Sequence, residues 1–405
     1  MKKNNLMLLS IFVSLLTMLS SCSKSSDGGG GGGGGIDAIP KISIADVSLP
    51  EGNSGTTAFS FLVTLDKTST TTVSITCATA DGAAKAGEDY TATSQTISFA
   101  PGEKEKTFVV NVNGDELKEG NEDFKVNLSS PVGCLISRGQ AVGTIMNEDT
   151  KIIFNNTGYD APTSYPGYTL VWSDEFNGAA VNTSDWTFEN GDGCPGNCGW
   201  GNNELEFYQP ANTTFQDGKM IIEARAENVG GKNYTSTKIV SRDKKKFKFG
   251  RIDFRALLPK SQGMWPAFWM MPNNSVYGGW PKSGELDIME MIGKQPSTTY
   301  GTLHFGPGPG STQLGGNKSL ASGTFNDQFH VFSIEWKQDE ITWLLDGVPF
   351  STHTKAEFGS ATYPFNEEFF FIINFAVGGN WPGNPDGTSI VPSWMIVDYV
   401  RVYQQ

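Results

Sequence analysis

Short apolar and polar alternations, separated by turn-forming residues, run along most of this chain. Examples are the segments 107–112 (TFVVNV) and 369–375 (FFFIINF). Gly, Pro, Asn and Asp stand between such segments, whereas long amphipathic helical patterns are nearly absent. Because two-residue alternation is typical of β-strands, the pattern predicts an all-β protein.

Strand-like segments within residues 41–150 form a group of their own, and the chain of 405 residues is long enough for a second, larger domain. Turn signals separate these short strands, as expected for a small β-sandwich. The predicted strands of this sandwich are 59–65, 73–79, 95–99, 107–112, 124–128 and 141–146.

One six-residue segment, Glu285–Glu290 (ELDIME), combines three acids with apolar residues. In a strand, alternate side chains share a face, so Glu285 and Asp287 point the same way. Regular alternation would turn Glu290 to the opposite face. A bulge near Ile288 and Met289 would return it to the acidic face, and bulges are common beside active sites.

Paired carboxyl groups flanked by aromatic rings are what the cleavage of a glycosidic bond requires. Side chains on one strand face can approach to about 5 Å, the carboxyl separation associated with retention of configuration. Three acids at that spacing cannot all ionise easily, so their pKa values should spread apart. The alternative from the residues alone is a solvated strand face that carries acids by chance.

Several motifs around this segment occur in a fixed order and together resemble glycoside hydrolase family 16, in particular its laminarinase (endo-β-1,3-glucanase) branch. The resemblance spans residues 165–405 and implies a concanavalin-like β-jelly-roll sandwich with a substrate cleft. The motifs are WSDEF at 172–176, CGWGNNELEFY at 198–208, GMWPAFWM at 263–270, WPKSG at 280–284, TLHF at 302–305 and VDYVRVY at 397–403.

The resemblance also implies residue roles. Glu285 matches the nucleophile, Glu290 the general acid/base and Asp287 the assisting acid between them. Asn203, Trp265, Trp269, Trp280 and His304 match the residues that line the sugar-binding cleft. Trp381 is added from the sequence itself, because it lies among Gly and Pro in a loop where a ring can stack on a sugar.

We therefore expect a retaining endo-hydrolase that cleaves β-1,3-glucan by double displacement, with no cofactor for catalysis. Two alternatives remain open from the sequence. The same chemistry would serve a mixed-linkage β-1,3-1,4-glucanase or a marine galactan hydrolase. A non-catalytic glucan-binding or adhesion lipoprotein would keep the tryptophans without needing all three acids.

Residues 41–150 resemble the Calx-beta domain, an immunoglobulin-like sandwich. The resemblance is carried by PEG at 50–52, TADG at 79–82, GEDY at 87–90, GDELKEGNE at 114–122 and NED at 147–149. It implies structural calcium, since acids clustered in loops provide the oxygen ligands that calcium prefers. The alternative is a set of solvated turn residues. The matching acids are Glu51, Asp81, Asp89, Asp115, Glu119, Glu122 and Asp149.

A second structural calcium is implied by the family 16 resemblance. Asp398 matches a side-chain ligand, and backbone carbonyls near Glu175 and Gly218 would complete the site. The alternative is that Asp398 pairs with an arginine such as Arg401.

The N-terminus reads as a targeting segment. Lys2 and Lys3 precede an apolar run that ends at Leu19-Ser20-Ser21-Cys22, which resembles a lipoprotein signal peptide (1–21) with Cys22 as the lipidated residue. A polar and polyglycine tether (22–40) follows, and a linker (151–164) joins the two domains. These features predict a lipid-anchored protein of the bacterial outer membrane or cell surface; the alternative is a periplasmic or secreted protein.

Charge and cysteine content narrow the partners. The net charge of −13 argues against nucleic acid and suits neutral glycans, so we expect β-glucan polysaccharide as the partner. We also expect a monomer. Export permits disulfides, and Cys194 and Cys198 could close a small loop beside the cleft. The sequence does not decide between a disulfide and free thiols there, nor for Cys77 and Cys134.

Overall fold

The computed structural model describes residues 39–308 and 310–405. The predicted signal peptide, Cys22 and the tether as far as residue 38 lie outside the described residues. Within the described part, strands dominate and helices are limited to three short 3₁₀ turns, so the prediction of an all-β protein is confirmed. No helix in the described ranges is long and apolar enough to cross a bilayer.

The N-terminal sandwich has two sheets, in the strand orders β6-β3-β1-β8 and β2-β9-β7-β4-β5. Alternate residues of each strand face the core between them; β3, for example, buries Phe59, Phe61, Val63 and Leu65. The strands are β1 Lys41–Ile44, β2 Val47–Pro50, β3 Gly55–Leu65, β4 Val73–Asp81, β5 Ser94–Phe99, β6 Glu105–Gly114, β7 Glu122–Val132, β8 Leu135–Arg138 and β9 Gln140–Met146.

The C-terminal domain is a larger sandwich with its own core. Its strands are β10 Thr169–Asp174, β11 Thr187–Glu189, β12 Glu206–Tyr208, β13 Thr213–Gln216, β14 Lys219–Ala224, β15 Tyr234–Ser236, β16 Lys238–Val240, β17 Lys246–Phe247, β18 Gly250–Leu257, β19 Met264–Pro272, β20 Glu285–Glu290, β21 Thr298–Phe305, β22 Thr312–Ser319, β23 His330–Lys337, β24 Glu340–Leu345, β25 Val348–Thr354, β26 Phe369–Val377 and β27 Ser393–Gln404. The 3₁₀ turns are Cys198–Gly201, Pro210–Asn212 and Lys355–Phe358.

Two sheets form this sandwich. The cleft sheet has the order β11-β16-β26-β19-β20-β21-β22, with β17 also paired to β26. The outer sheet has the order β13-β14-β27-β18-β23-β24-β25, with β10 also paired to β27. Strand β26 is central to the cleft sheet and is buried along its whole length. One of its faces packs into the core through Phe371, Ile373 and Phe375, while Phe370 and Ile372 lie on the other face with Trp269.

The segment predicted as a linker packs against the outer sheet. Ile152 is 5% exposed and forms an apolar cluster with Ile221, Leu257, Phe329 and Ile396. Its backbone N–H donates to Gln216 Oε1 (2.9 Å), and its carbonyl accepts from Gln216 Nε2 (2.9 Å). We call residues 151–162 the strap, because they cover apolar residues of the outer sheet that would otherwise face water.

Further along the strap, Ala161 and Tyr159 pack with Val331 and Tyr399. The backbone of Phe329 makes two hydrogen bonds to the strap: its N–H donates to the carbonyl of Thr157 (2.9 Å), and its carbonyl accepts from the N–H of Tyr159 (3.1 Å). The strap therefore behaves as part of the C-terminal domain.

The two domains also contact each other directly. Lys118, in the loop between β6 and β7, reaches the C-terminal domain, where its Nζ lies 2.8 Å from Glu223 Oε2. Glu223 is 2% exposed and is also paired with Arg225. This contact places the loop that carries Asp115 and Glu119 beside the outer sheet.

Ile152→Ala should lower the stability of the C-terminal domain by about 2 kcal/mol, because it opens a cavity under the strap. For a domain of this size that corresponds to a fall in melting temperature of about 4–8 °C by scanning calorimetry. Ile153→Ala is the matched control, since Ile153 is 76% exposed and should leave the melting temperature unchanged. Equal melting temperatures for both variants would contradict a structural role of the strap.

Candidate active site

The three acids of β20 lie on one face of the cleft sheet, brought together by a bulge. Phe268 pairs with Met289 and Trp269 with Asp287, which leaves Ile288 as the extra residue. On the other side, β21 shows the same irregularity between the partners of Asp287 and Glu290. The predicted bulge is therefore present, and Leu286, Ile288 and Met289 are all buried in the core.

Contacts from below hold the bulge. The indole Nε1 of Trp343 donates to the backbone carbonyl of Asp287 (2.8 Å) from within the core. Trp343 has room there only because position 301 is glycine: a Cβ on Gly301 would lie 2.2 Å from the indole ring. The glycine that lies opposite the bulge thus allows the core to support the acidic face.

Two tryptophans bond the outer acids from opposite ends. Trp280 Nε1 donates to Glu285 Oε2 (2.6 Å), and Trp265 Nε1 donates to Glu290 Oε1 (3.1 Å). Each indole therefore fixes the orientation of one carboxyl group while its ring flanks the cleft.

His304 lies beside the acids because it pairs with Glu285 across β20 and β21. Its Nε2 lies 3.1 Å from Asp287 Oδ2 and 3.9 Å from Glu285 Oε1. The shorter contact is off the direction of a hydrogen bond, so Asp287 Oδ2 is buried without a hydrogen-bond partner among the described residues. On the other side of the ring, Nδ1 lies 3.1 Å from Ser311 Oγ.

Burial raises the pKa of all three acids. The pKa of Glu285 rises to about 7 through burial and then through the charge of Asp287, while His304 and the Trp280 N–H oppose the rise. Burial likewise raises the pKa of Asp287, and burial with the charges of Asp287 and Glu285 raises that of Glu290 well above its ordinary value. Protons are therefore shared within the group, as acid–base chemistry requires.

Beyond Glu290, the predicted cleft residues Trp265 and Trp381 form an aromatic group with Tyr300. Trp381 is 36% exposed and lies edge-on to Trp265, with ring centres 5.7 Å apart. Tyr300 packs against Trp381 at 5.0 Å. Asn203 is exposed, and its Nδ2 donates to Asn380 Oδ1 (2.9 Å), which ties the 198–208 segment to the loop that carries Trp381.

The sequence interpretation missed several residues of this face. Tyr300 could have been predicted from the sequence, because two-residue alternation in β21 places it on the same face as His304. Asn374 is the one amide in an apolar strand, and its Oδ1 accepts from Trp269 Nε1 (2.7 Å). Lys238, paired with Glu189 (2.9 Å), lies 4.0 Å above the ring of Trp200.

The disulfide that the sequence left undecided is present between Cys194 and Cys198, and it closes the loop that precedes Asn203. Cys77 and Cys134 are free and buried in the N-terminal sandwich.

Within the described ranges, two groups of three acid or histidine side chains have ligand atoms within 4.8 Å of one another. One is Glu285, Asp287 and His304. The other is Asp89, Glu119 and Glu122 at one end of the N-terminal sandwich.

More of the predicted calcium ligands gather at that end. Glu51 is 6% exposed, and its pKa rises to about 7 through burial and through the charges of Asp115, Glu119, Glu148 and Asp149. Asp149 is 5% exposed, and its Oδ2 has no hydrogen-bond partner in the described part of the chain. Unneutralised buried carboxylates at such close range fit a cation with oxygen ligands.

Asp81 differs from the other acids of this set. Its Oδ1 accepts from Tyr90 O–H (2.7 Å) and from the N–H of Ala86 (3.0 Å), and these bonds lower its pKa. That oxygen therefore serves the local turn.

At Asp398 the side-chain contacts favour the arginine alternative over the expected calcium ion. The structure does bring Glu175 and Asp398 to adjacent strands, and Gly218 directly precedes β14. However, Asp398 is paired with Lys219 (3.1 Å) and with Arg255, so two cations already neutralise its carboxylate. Glu175 is in turn held by Arg401 (2.8 Å). The pairing seen at Asp398 is therefore that of the arginine alternative, with Arg255 in place of Arg401.

Comparisons with known proteins agree with this geometry. The profile of Glycosyl hydrolases family 16 matches residues 201–395, and that of the Calx-beta domain matches residues 43–150. The chain is 39% identical over 261 residues to a Beta-glucanase of Rhodothermus marinus, covering 61% of the chain and 89% of that protein.

Two further similarities concern proteins named for β-1,3-glucan. Glucan endo-1,3-beta-glucosidase A1 of Niallia circulans is 42% identical over 321 residues, covering 70% of this chain but only 46% of that longer protein. The solved catalytic domain of an endo-1,3-beta-glucanase (laminarinase) from Thermotoga petrophila RKU-1 is 42% identical, with a TM-score of 0.56, and the match covers 59% of this chain and 98% of that domain.

Proposed function

The chain belongs to glycosyl hydrolases family 16, and from that premise we propose that it is a retaining endo-hydrolase of β-1,3-glucan. The observation that carries the proposal is the acidic face of β20, where Glu285 and Glu290 are each bonded by a tryptophan that flanks the cleft. Relatives named for β-1,3-glucan support the choice of linkage over mixed-linkage glucan or galactan.

The two outer acids take the two roles of a retaining mechanism. Glu285 attacks the anomeric carbon and forms a glycosyl-enzyme, while Glu290 gives its proton to the departing oxygen. Glu290 then removes a proton from the water that hydrolyses the intermediate. Both steps use protein groups alone, so the chemistry requires no cofactor.

Electrostatics separates the two roles. Glu285 has to be ionised, and both the Trp280 N–H and the nearby His304 favour its charged form. Glu290 has to hold a proton, and burial with the charges of Asp287 and Glu285 raises its pKa well above the ordinary value, although His304 and the Trp265 N–H oppose the rise. Asp287, between them, carries or releases a proton as the charge on Glu285 changes during the reaction.

For the rest of the protein we propose three further features. The acids of the N-terminal sandwich bind a structural calcium ion, supported by the buried Glu51 and Asp149. The leader and Cys22 anchor the chain to the bacterial outer membrane or cell surface, supported by the sequence around Cys22. The enzyme works there as a monomer on polysaccharide outside the cell.

Glu285→Gln should reduce hydrolysis of laminarin by about 10³-fold or more, because an amide cannot attack the anomeric carbon. Binding of the polymer in affinity electrophoresis should persist. Because the pKa of Glu285 is about 7 in the folded state and lower when unfolded, its ionisation destabilises the fold as pH rises through 7.

The same variant should accordingly melt at an equal or higher temperature than the parent at pH 8, which excludes unfolding as the cause of the loss. Glu340→Gln is the matched control and should keep full activity, because Glu340 begins β24 of the outer sheet and its side chain is 41% exposed. Activity within tenfold of the parent in Glu285→Gln would remove Glu285 from the mechanism.

Calcium binding should be detectable by titration calorimetry of the full chain after treatment with a chelator. Asp149→Asn should weaken it by at least about tenfold, because it removes a charged ligand from a buried cluster. Glu105→Gln is the control, since Glu105 begins β6 and the acids lie at the other end of that strand. Equal affinities in the two variants would contradict the proposed site.

A further inference from the structure

Beside Trp269, on the cleft side of the sheet, lies a group of buried polar side chains that the proposed mechanism does not use. Glu204, Glu206 and Tyr208 come from the segment that follows the Cys194–Cys198 loop, and they are 6%, 0% and 0% exposed. The segment is held there by β12, which pairs with β15, and by the N–H of Leu205, which donates to the carbonyl of Val377 (2.9 Å).

We propose that Glu206, Glu204, Tyr208 and Asn374 form a hydrogen-bonded relay that fixes the orientation of Trp269 on the cleft sheet, and that Glu206 takes part in it as a neutral acid. The inference rests on the proposed function in one respect: Trp269 is taken to contact the glucan. The relay itself rests on geometry.

The first link is the pair of carboxyl groups. Glu206 Oε2 accepts from the N–H of Val377 (2.7 Å). Its Oε1 is buried, and no donor among the described residues bonds to it. The two carboxyl groups lie within hydrogen-bonding reach of each other. A proton on Glu206 Oε1 satisfies that oxygen, because the hydroxyl then donates to Glu204.

Glu204 receives only donors. Asn202 Nδ2 donates to its Oε1 (3.1 Å) and Tyr208 O–H donates to its Oε2 (3.2 Å), in addition to the Glu206 hydroxyl. Lys238 is the cation whose charge faces it. Burial raises the pKa of Glu204, but its three donors and the nearby ammonium group oppose that rise and favour the ionised carboxylate. Burial and the Glu204 charge raise the pKa of Glu206 well above its ordinary value, in agreement with one shared proton.

The ionised Glu204 sets the direction of the hydrogen bonds made by Tyr208 and Asn374. Tyr208 has a single hydroxyl proton and gives it to Glu204, so its oxygen must accept from the next group. Asn374 Nδ2 is that donor (3.0 Å). The amide of Asn374 is thereby oriented with Oδ1 toward the cleft, where it accepts from Trp269 Nε1 (2.7 Å).

The end point of the relay is at the reacting face. Trp269 is half-buried and pairs in register with Asp287, and its ring packs with Phe370 and Ile372 on the exposed side of the cleft sheet. Within the described ranges, Glu204, Glu206 and Tyr208 make no hydrogen bond to the three acids of β20. They are positioning residues, and they act through the orientation of the indole.

Donor and acceptor roles give the relay an asymmetric test. Glu206→Ala should raise KM for β-1,3-gluco-oligosaccharides about tenfold with kcat changed by less than about threefold, the size expected from loss of a buried hydrogen bond. Glu206→Gln should keep KM within about twofold of the parent value, because its amide donates to Glu204 and its carbonyl accepts from Val377. Glu204→Gln should raise KM as Glu206→Ala does, because its NH₂ group meets donors.

A second readout needs no substrate. The Trp269 indole N–H signal in a proton–nitrogen correlation spectrum, assigned among ten tryptophans with Trp269→Phe, should stay in place in Glu206→Gln. It should move in Tyr208→Phe and Glu204→Gln, because Asn374 loses its orienting partner. Glu340→Gln serves as the control and should move neither the signal nor KM.

Two results would overturn the relay: a KM for Glu206→Gln as high as that for Glu206→Ala, or an unmoved Trp269 signal in Tyr208→Phe. Tyr208→Phe keeps the test decisive if Glu204→Gln does not fold. If the parent protein cleaves no β-1,3-glucan, the proposed function fails, while the indole signal still decides whether the relay exists.

Discussion

Three carboxyl groups from six consecutive residues share one face of the cleft sheet, and their burial beside one another is the constraint on which the rest of the site depends. A regular strand would separate Glu290 from Glu285 and Asp287, and the bulge at Ile288 removes that separation. Burial raises the pKa of all three, and the charges of neighbouring acids add to the rise at Glu285 and Glu290, which costs stability when they ionise. The surrounding core offsets that cost through its packing and through Trp343, which bonds the bulge from below.

The remaining parts of the C-terminal domain can be understood as supports on either side of this face. Above it, indole donors orient Glu285 and Glu290, and the Asn203–Asn380 bond ties two loops together at the edge of the cleft. Beside it, polar groups from the 198–208 segment reach Trp269 through Asn374. On the far side, the strap covers the outer sheet and joins the jelly roll to the N-terminal sandwich.

Sequence periodicity was sufficient for the features that depend on neighbouring residues. The all-β class and the burial of Leu286 and Ile288 follow from alternation along short segments, and the family resemblance is confirmed. The bulge follows from the expectation that all three acids share one face. Features that join distant segments were out of reach. Asn374 and Tyr208 are 166 residues apart in the chain, and no local pattern indicates that they bond.

The same limit applies to Asp398, since its partner Arg255 comes from a strand 143 residues earlier. It also explains the strap, whose apolar Ile152 has its partners on four separate segments of the C-terminal domain. The central claim is that Glu285 and Glu290 cleave β-glucan by double displacement, and the configuration of the first product tests it most directly. Proton NMR of laminarin hydrolysis, recorded before mutarotation, should show the β-anomer as the initial product; initial release of the α-anomer would contradict the account.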